Sequence, residues 1–476
     1  MSPLTNPDPK TIEAALRLRT EELRRRVRAL PSEVESWRAR VANIDDRDMR
    51  LHFTQLQALN VLMTAYFEQQ KSLLDALDPA GPSAAWAGKA FELVKSIIAS
   101  QRVWSFFRSK LDLRFSPEFK DVLRVADIVA MDCYGPAMTE ATVRGIVKKA
   151  AVREPPLTYL IAEFSPATWV RNSRPQDGRA YDLGEAQLPI PVIQVPWDHV
   201  ENTWEFLSLH HEVGHDIEAD LALRAPIHDK LLAALRAGGV PETRLRNWMR
   251  WQAEIFADFA GLQLGGPAFS DMLLNLLILP SAQVTAIDAG DPHPNHYVRI
   301  LLNVASVRTM AAAAVEPAFA ERLRADAAAT EAVWLGLFGD QADLRAYEAD
   351  FAVVIAAVMD TPYAALKGAS VREMLPYTNA HDQRIRGTAQ YLATGANAPP
   401  AMPPRHVISA ARIAATSVLR DGDGAARLDD IDKRAARLVS DNQPEGLRAR
   451  PYPKARADAV RRFVQVDIDQ VLGPEN

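Results

Sequence analysis

The chain has 476 residues, 48% of them hydrophobic, and carries 55 lysines and arginines against 60 aspartates and glutamates for a formal net charge of −5. That composition supports a sizeable core spread over roughly two to four domains, excludes wholesale disorder, and gives no general pull toward nucleic acid or an anionic membrane. The single cysteine, Cys133, excludes an internal disulfide and a cysteine-rich metal site.

In chain order, the opening MSPLTNPDPK lacks the basic and apolar regions of a secretory leader. Residues from about Thr11 to Leu77 read as two long helices broken at Pro31-Ser32, with Leu51, Leu56, Leu59, Leu62 and Met63 on one stripe of the second. This N-terminal helical hairpin (1–80) is expected to dock on the core and is a candidate surface for a protein partner. A Pro/Gly/Ser break at Asp78–Ser83 opens a second helical region (81–153).

The next region (154–310) holds the strand signals, Leu157–Phe164 and Ile190–Val195, separated by a polar loop at about Arg171–Gly184. Pro189, Pro191 and Pro196 predict that the second strand lies at a sheet edge, because proline cannot donate to a ladder. Helices are expected over Asp198–Leu223 and Glu242–Leu264, then through an alanine-rich region (311–393). The stretch Thr394–Pro404 reads as a linker to a C-terminal helical segment (405–476). Asp421-Gly-Asp-Gly opens like a calcium loop but loses register, so a turn is expected there. The longest apolar runs, near Met272–Leu279 and Phe351–Met359, are about half the ~20 residues a membrane helix needs. The expected fold is mainly α (α+β) with a small sheet, in a soluble, cytoplasmic protein.

The chemistry is concentrated in Leu209–Ile217, where His211-Glu212-Val213-Gly214-His215 forms H-E-x-x-H. Two histidines four residues apart on a helix stand one turn apart on one face, so both imidazoles can reach a single metal ion. Glu212 lies beside them as a base able to take a proton from water. Phe206, Leu209, Val213 and Ile217 fall on the opposite, core-facing side. Gly214 costs about 1 kcal/mol relative to alanine inside a helix, which predicts the close approach of a strand or a substrate at that point.

Metzincins continue the motif to a third histidine, but Glu218 and Leu221 occupy the corresponding later positions here. The third ligand is instead expected from Glu254, in Trp251-Gln-Ala-Glu-Ile-Phe-Ala-Asp258. Two histidines and a carboxylate leave one position open on zinc, and Asp258, one turn on, can accept the free ring N–H of a ligand histidine.

H-E-x-x-H followed by E-x-x-A-D resembles the gluzincin branch of the zinc metallopeptidases, which includes thermolysin and the CAAX-prenyl-endopeptidase-like peptidases. The resemblance covers about Pro189 to Arg299, under a quarter of the chain. It implies a zincin-like catalytic core holding one Zn2+ on His211, His215 and Glu254, with Glu212 as general base and Asp258 supporting His211. It also implies peptide binding along an edge strand. His293-Pro294-Asn-His-Tyr-Val-Arg299 is similar to the His-Pro…Arg segment of the prenyl-endopeptidase-like group, whose transmembrane helices are missing here.

A peptidase also needs a group to stabilise the oxyanion, for which the candidates are His293, His296, Tyr297 and Arg299, with His293 and Tyr297 ahead. Arg299 is equally suited to brace an acidic residue near the metal. His210 and Cys133 read as core residues, and Tyr134 as a side chain able to reach the cleft. The expected function is a zinc-dependent metallopeptidase acting on a peptide or protein, without nucleic acid or membrane. Its alternatives are a metal-dependent amidase on a small molecule, or a helical interaction protein with a structural or vestigial zinc site. The N-terminal hairpin or the segment after Thr394 is a candidate to restrict access to the cleft.

Overall fold

The structure, a computed structural model, describes residues 8–42, 51–148, 154–173, 188–397, 399–420 and 424–442. It is mainly helical with one small three-stranded sheet, as expected. The chain divides into two compact units, one built on Met1–Ser116 and the other on Pro117–Arg171 and Pro191–Gly446. The division at Ser116/Pro117 differs from the expected boundaries near 80 and 153.

In the first unit, α1 (Pro9–Ala42) runs straight through Pro31, so the expected break at Pro31-Ser32 is not there. A proline inside a helix costs about 3 kcal/mol. Burial of Leu30, Val34 and Trp37 around it opposes that cost, and the Trp37 indole donates to Asp112. Helix α2 (Phe53–Asp75) buries Leu59, Leu62 and Met63 of the expected stripe. Helix α3 (Ser83–Asp112) packs with α1 and α2 around an apolar cluster that includes Leu23, Trp86, Leu93 and Ile97, so the hairpin is joined by a helix assigned from sequence to the next region.

The second unit begins with α4 (Lys120–Val143), which buries Cys133 and packs against the sheet. The strands β1 (Leu157–Ile161), β2 (Ala167–Trp169) and β3 (Val192–Pro196) lie in the order β1-β3-β2. β3 pairs in parallel with β1 and antiparallel with β2. The expectation that the proline-bounded strand is an edge is therefore overturned: β3 is central. Pro189 and Pro191 precede the paired span and Pro196 ends it, so Val192–Val195 keep their N–H groups, and Pro191 contributes only its carbonyl, to Leu157 N at 2.9 Å. The polar loop expected between the strands falls largely on residues 174–187, outside the described residues.

Residues 197–207 form two 3₁₀ turns, so the regular helix α5 starts at Ser208 and not at Asp198. It spans Ser208–Asp220 and is followed by α6 (Arg224–Ala237), α7 (Glu242–Gly265) and α8 (Pro267–Leu276). Then come α9 (His296–Ala313), α10 (Pro317–Phe338), α11 (Glu348–Ile355), α12 (Asn379–Thr394), α13 (Pro404–Arg420) and α14 (Ala425–Asp441).

The Thr394–Pro404 stretch joins helices packed on each other, so it is a loop within one unit and not a linker to a separate segment. Helix α13 buries Val407, Ile408 and Ala411, and Arg405 and Arg412 bind Asp132 and Asp271, which makes it part of the core. The expected turn at Asp421–Asp423 and everything after Asn442 lie outside the described residues. One helical stretch among the described residues, Ala342–Leu366, is long and apolar enough to cross a membrane, but half of its most apolar window is buried in the molecule.

The most extensive helix–helix contact among the described residues of the second unit is between α5 and α7. Phe206, Leu209, Val213 and Ile217 are at most 1% exposed, which confirms the apolar side of the motif helix. A Cβ built on Gly214 would meet Ala257 Cα at 2.9 Å and Ala260 Cβ at 3.1 Å. A neighbouring helix, not a strand or a substrate, therefore accounts for the glycine. Gly214→Ala gains about 1 kcal/mol of helix propensity but overpacks a backbone contact at a cost of about 1–3 kcal/mol. A net loss of stability is expected in urea denaturation; an unchanged or higher midpoint would show that the two helices are free to separate.

Candidate metal centre

The α5–α7 contact decides the site, because both helices turn their functional faces toward each other across it. α5 carries His211 and His215, and α7 carries Glu254 and Asp258. His211 Nε2 stands 3.1 Å from Glu254 Oε2 and 3.2 Å from His215 Nε2, and His215 Nε2 is 3.5 Å from Glu254 Oε1. One donor atom from each of the three residues falls within 4.8 Å of the others, a group able to hold a metal ion.

The chemistry of this set fits a cation. His211 Nδ1 lies 2.8 Å from Asp258 Oδ1; a carboxylate only accepts, so this nitrogen carries the proton and Nε2 turns its lone pair toward Glu254 and His215. Acceptors brought this close repel unless something positive lies among them. A proton on His211 relieves part of the repulsion, and a metal ion relieves all of it. Burial works against a charged His211, but the facing Asp258 and Glu254 outweigh it and raise the ring to about 10. Burial likewise opposes ionisation of Glu254, yet His211 and His215 hold it well below the usual carboxylate range.

Asp258 is in turn braced. Arg299, on α9, grips both its oxygens at 2.8 and 2.7 Å, and Asn303 donates to it at 3.2 Å. All three are buried, and a bidentate arginine–carboxylate pair is among the strongest and most directional ion pairs available. Arg299 thus acts through Asp258, as one of its two expected roles required. Asn303 was not foreseen; the available signal was a polar residue one turn after Arg299, interrupting the apolar run from Ile300 to Val304.

Glu212 is 4% exposed, and burial pushes its carboxyl up to about 7, with Glu254 adding to the rise and His211, His293 and Arg299 opposing it. His293 remains at the site, its Nε2 3.4 Å from Glu254 Oε2 and its Nδ1 2.7 Å from Asp291 Oδ1. Asp291 is a further partner that sequence reasoning did not single out. His296 lies near Asp291, His293 and Arg299, and its buried Nδ1 has no hydrogen-bond partner among the described residues.

Tyr297 is not brought to the cluster. Its hydroxyl donates to the Gly339 carbonyl at 3.0 Å and accepts from Gln341 N–H at 3.2 Å, and its ring is fully buried. Two helical residues span about 200°, so with Arg299 turned toward α7, Tyr297 faces the opposite way. Tyr134 binds Asp220 instead of reaching the metal ligands, and His210 is fully buried, its ring lowered to about 4 by burial.

Comparison with protein-family models, with curated proteins and with solved structures returned no match. The site is therefore argued from its own geometry. Asp258→Asn keeps the size of the side chain but removes its charge and weakens its hold on the His211 N–H. Metal affinity is expected to fall roughly 10–100-fold in a chelator competition titration; equal affinity would mean that His211 needs no such support.

Proposed function

We propose that the protein is a zinc-dependent metallopeptidase of the gluzincin type, hydrolysing peptide bonds in a peptide or protein substrate with Glu212 as general base. The observation that carries this reading is the convergence of His211, His215 and Glu254 on one point, with Glu212 buried beside them. Two imidazoles and one carboxylate suit zinc and leave a position open for chemistry. When bound there, zinc supplies a Lewis acid that polarises the scissile carbonyl and makes a water more acidic.

The protein's own groups do the rest. The Glu212 carboxylate takes a proton from the attacking water and returns it to the nitrogen of the leaving amine. His293 donates from Nδ1 to Asp291 and turns Nε2 toward the site; as an imidazolium, in which both ring nitrogens carry a proton, it donates from Nε2 to the developing oxyanion. With Tyr297 turned away, His293 is left as the leading candidate for that role. Asp258 and Arg299 fix the tautomer and direction of His211.

A structural zinc site is the poorer reading. The three ligand side chains keep 10–13% of their surface exposed, where a closed structural site would be sealed, and such a site has no use for a buried base near neutrality. A peptide substrate is favoured over a small amide by the sheet: among the described residues β2 pairs only with β3, which suits the addition of an extended peptide as a further strand. The net charge of −5 gives no general attraction to nucleic acid or an anionic membrane.

Incubation of a mixed peptide library with the zinc-loaded protein, read by mass spectrometry, tests this directly. Glu212→Gln is expected to keep the fold and the metal while losing at least about a thousandfold in turnover; full activity in that variant would sink the assignment. Because Glu212 acts as a carboxylate and its pKa is raised to about 7, the active form is lost as pH falls through that range. A cation beside it lowers the value, so kcat/KM is expected to show an acid limb at or below about pH 7. A kcat/KM that rises as pH falls from 8 to 5 would remove Glu212 as the base.

A further inference from the structure

Resting on the metallopeptidase reading, we infer that Arg250 is a positioning residue: through the Asp291 carbonyl it sets His293 beside the metal ligands, and so acts on the transition state and not on substrate binding. His293 sits in a stretch with little else to place it. Residues 286–295 form no helix or strand, and Ala286 to Gly290 are exposed. Among the described residues no backbone–backbone hydrogen bond joins 287–294 to the rest of the chain. The buried Pro294 and Asn295 anchor the end of the loop, where Asn295 donates to the Val284 and Ala286 carbonyls at 3.0 and 2.5 Å. Pro292 and Pro294 stiffen the backbone on either side of His293. The Asp291 carboxylate accepts from the His293 N–H at 2.9 Å and from its Nδ1 at 2.7 Å. All of these bonds lie within the loop or at its base, and none fixes where the loop stands on α7.

The tie to α7 is one guanidinium. Arg250 sends Nε to the Asp291 carbonyl at 2.9 Å and Nη2 to Asn247 Oδ1 at 3.1 Å. Asn247 in turn donates from Nδ2 to the Tyr347 hydroxyl at 2.6 Å, and both residues are buried. The Tyr347 ring packs on Trp248 and Trp251, so the chain of bonds ends in the core. Arg250 stands four residues before Glu254, on the same face of α7 and about 6 Å along its axis. His293 spans that turn, with Asp291 held at Arg250 and its own Nε2 3.4 Å from Glu254 Oε2. Among the described residues, these two contacts are the only hydrogen bonds or ion pairs that join 287–294 to α7.

A guanidinium suits this task because its N–H groups point along fixed directions in one plane, so two acceptors set its orientation. Asn247 fixes the plane, and the remaining direction places the Asp291 carbonyl. Holding the loop by a carbonyl leaves the Asp291 carboxylate to orient the His293 ring. That precision matters most at the transition state. A donor displaced by about 1 Å from a developing oxyanion can cost roughly a hundredfold in rate. A bound substrate carries little charge on the same oxygen, so its affinity depends far less on that donor.

The test uses the zinc-loaded full-length protein and a peptide that it cleaves in the library. Arg250→Met removes the donors and keeps the stem, whereas Arg250→Lys keeps the charge and one donating group. The expected result for Arg250→Met is a fall of roughly a hundredfold in kcat with KM and zinc content unchanged, partly recovered in Arg250→Lys. A phosphinic peptide, whose oxygen stands where the oxyanion forms, is expected to bind the Arg250→Met protein more weakly by a similar factor. In a His293→Ala background the same substitution is expected to change nothing further, because its effect runs through His293. Should Arg250→Met fail to fold, Arg250→Lys is carried through the same cycle. An unchanged kcat, a loss carried by KM, or a loss that persists in full without His293 would make Arg250 a structural residue only and overturn the inference, while the peptidase reading stands. If the wild type cleaves nothing in the library, the peptidase reading fails and takes this one with it.

Discussion

Everything at the candidate site depends on how closely two helices approach. Gly214 has no side chain, and Ala257 and Ala260 opposite it have almost none, so α5 and α7 meet with backbone against backbone. At that separation His211 and His215 on one helix come within reach of Glu254 and Asp258 on the other. A methyl group at the crossing would push the helices apart by a few tenths of an ångström or more, comparable to the tolerance of a metal site. The glycine that weakens the helix locally is thus what assembles it with its neighbour.

The second constraint is electrostatic. The charged groups around the metal cluster lie almost entirely away from water and are joined in a chain: Glu254 to the histidines, His211 to Asp258, Asp258 to Arg299 and Asn303. Burial penalises every one of these charges singly, so the arrangement is tolerable only when complete. Glu212 differs because no opposite charge is dedicated to it, and its carboxyl is left close to neutrality in its proton affinity. A chain of satisfied charges next to one unsatisfied base is how environments separate a supporting carboxylate from a working one.

Elsewhere packing overrode local signals. Pro31 fails to end α1 because the apolar face on both sides of it is buried in one unit. The prolines around β3 fail to make it an edge because Pro189 and Pro191 precede the paired residues and Pro196 is the last of them, so Val192–Val195 keep their N–H groups for the ladder. The proline-rich stretch after Thr394 fails to release a separate segment because α13 carries the apolar face and the arginines that lock it down. In each case the local rule was sound, but it concerned single backbone groups, and the outcome was set by burial summed over many residues.

The sequence by itself determined the parts of the site that are local in the chain. A four-residue step on a helix puts His211 with His215 and Glu254 with Asp258, and the apolar positions between them say which side faces the core. The helical class and the presence of a small sheet followed from periodicity in the same way. Only the tertiary structure decided which pairs meet: that Gly214 faces a helix, that Arg299 and Asn303 converge on Asp258, that His293 reaches Glu254, and that Tyr297 faces away. Spacing fixes angles around one helix axis, whereas contacts across 41 or 47 residues depend on how whole helices pack, which no local pattern specifies.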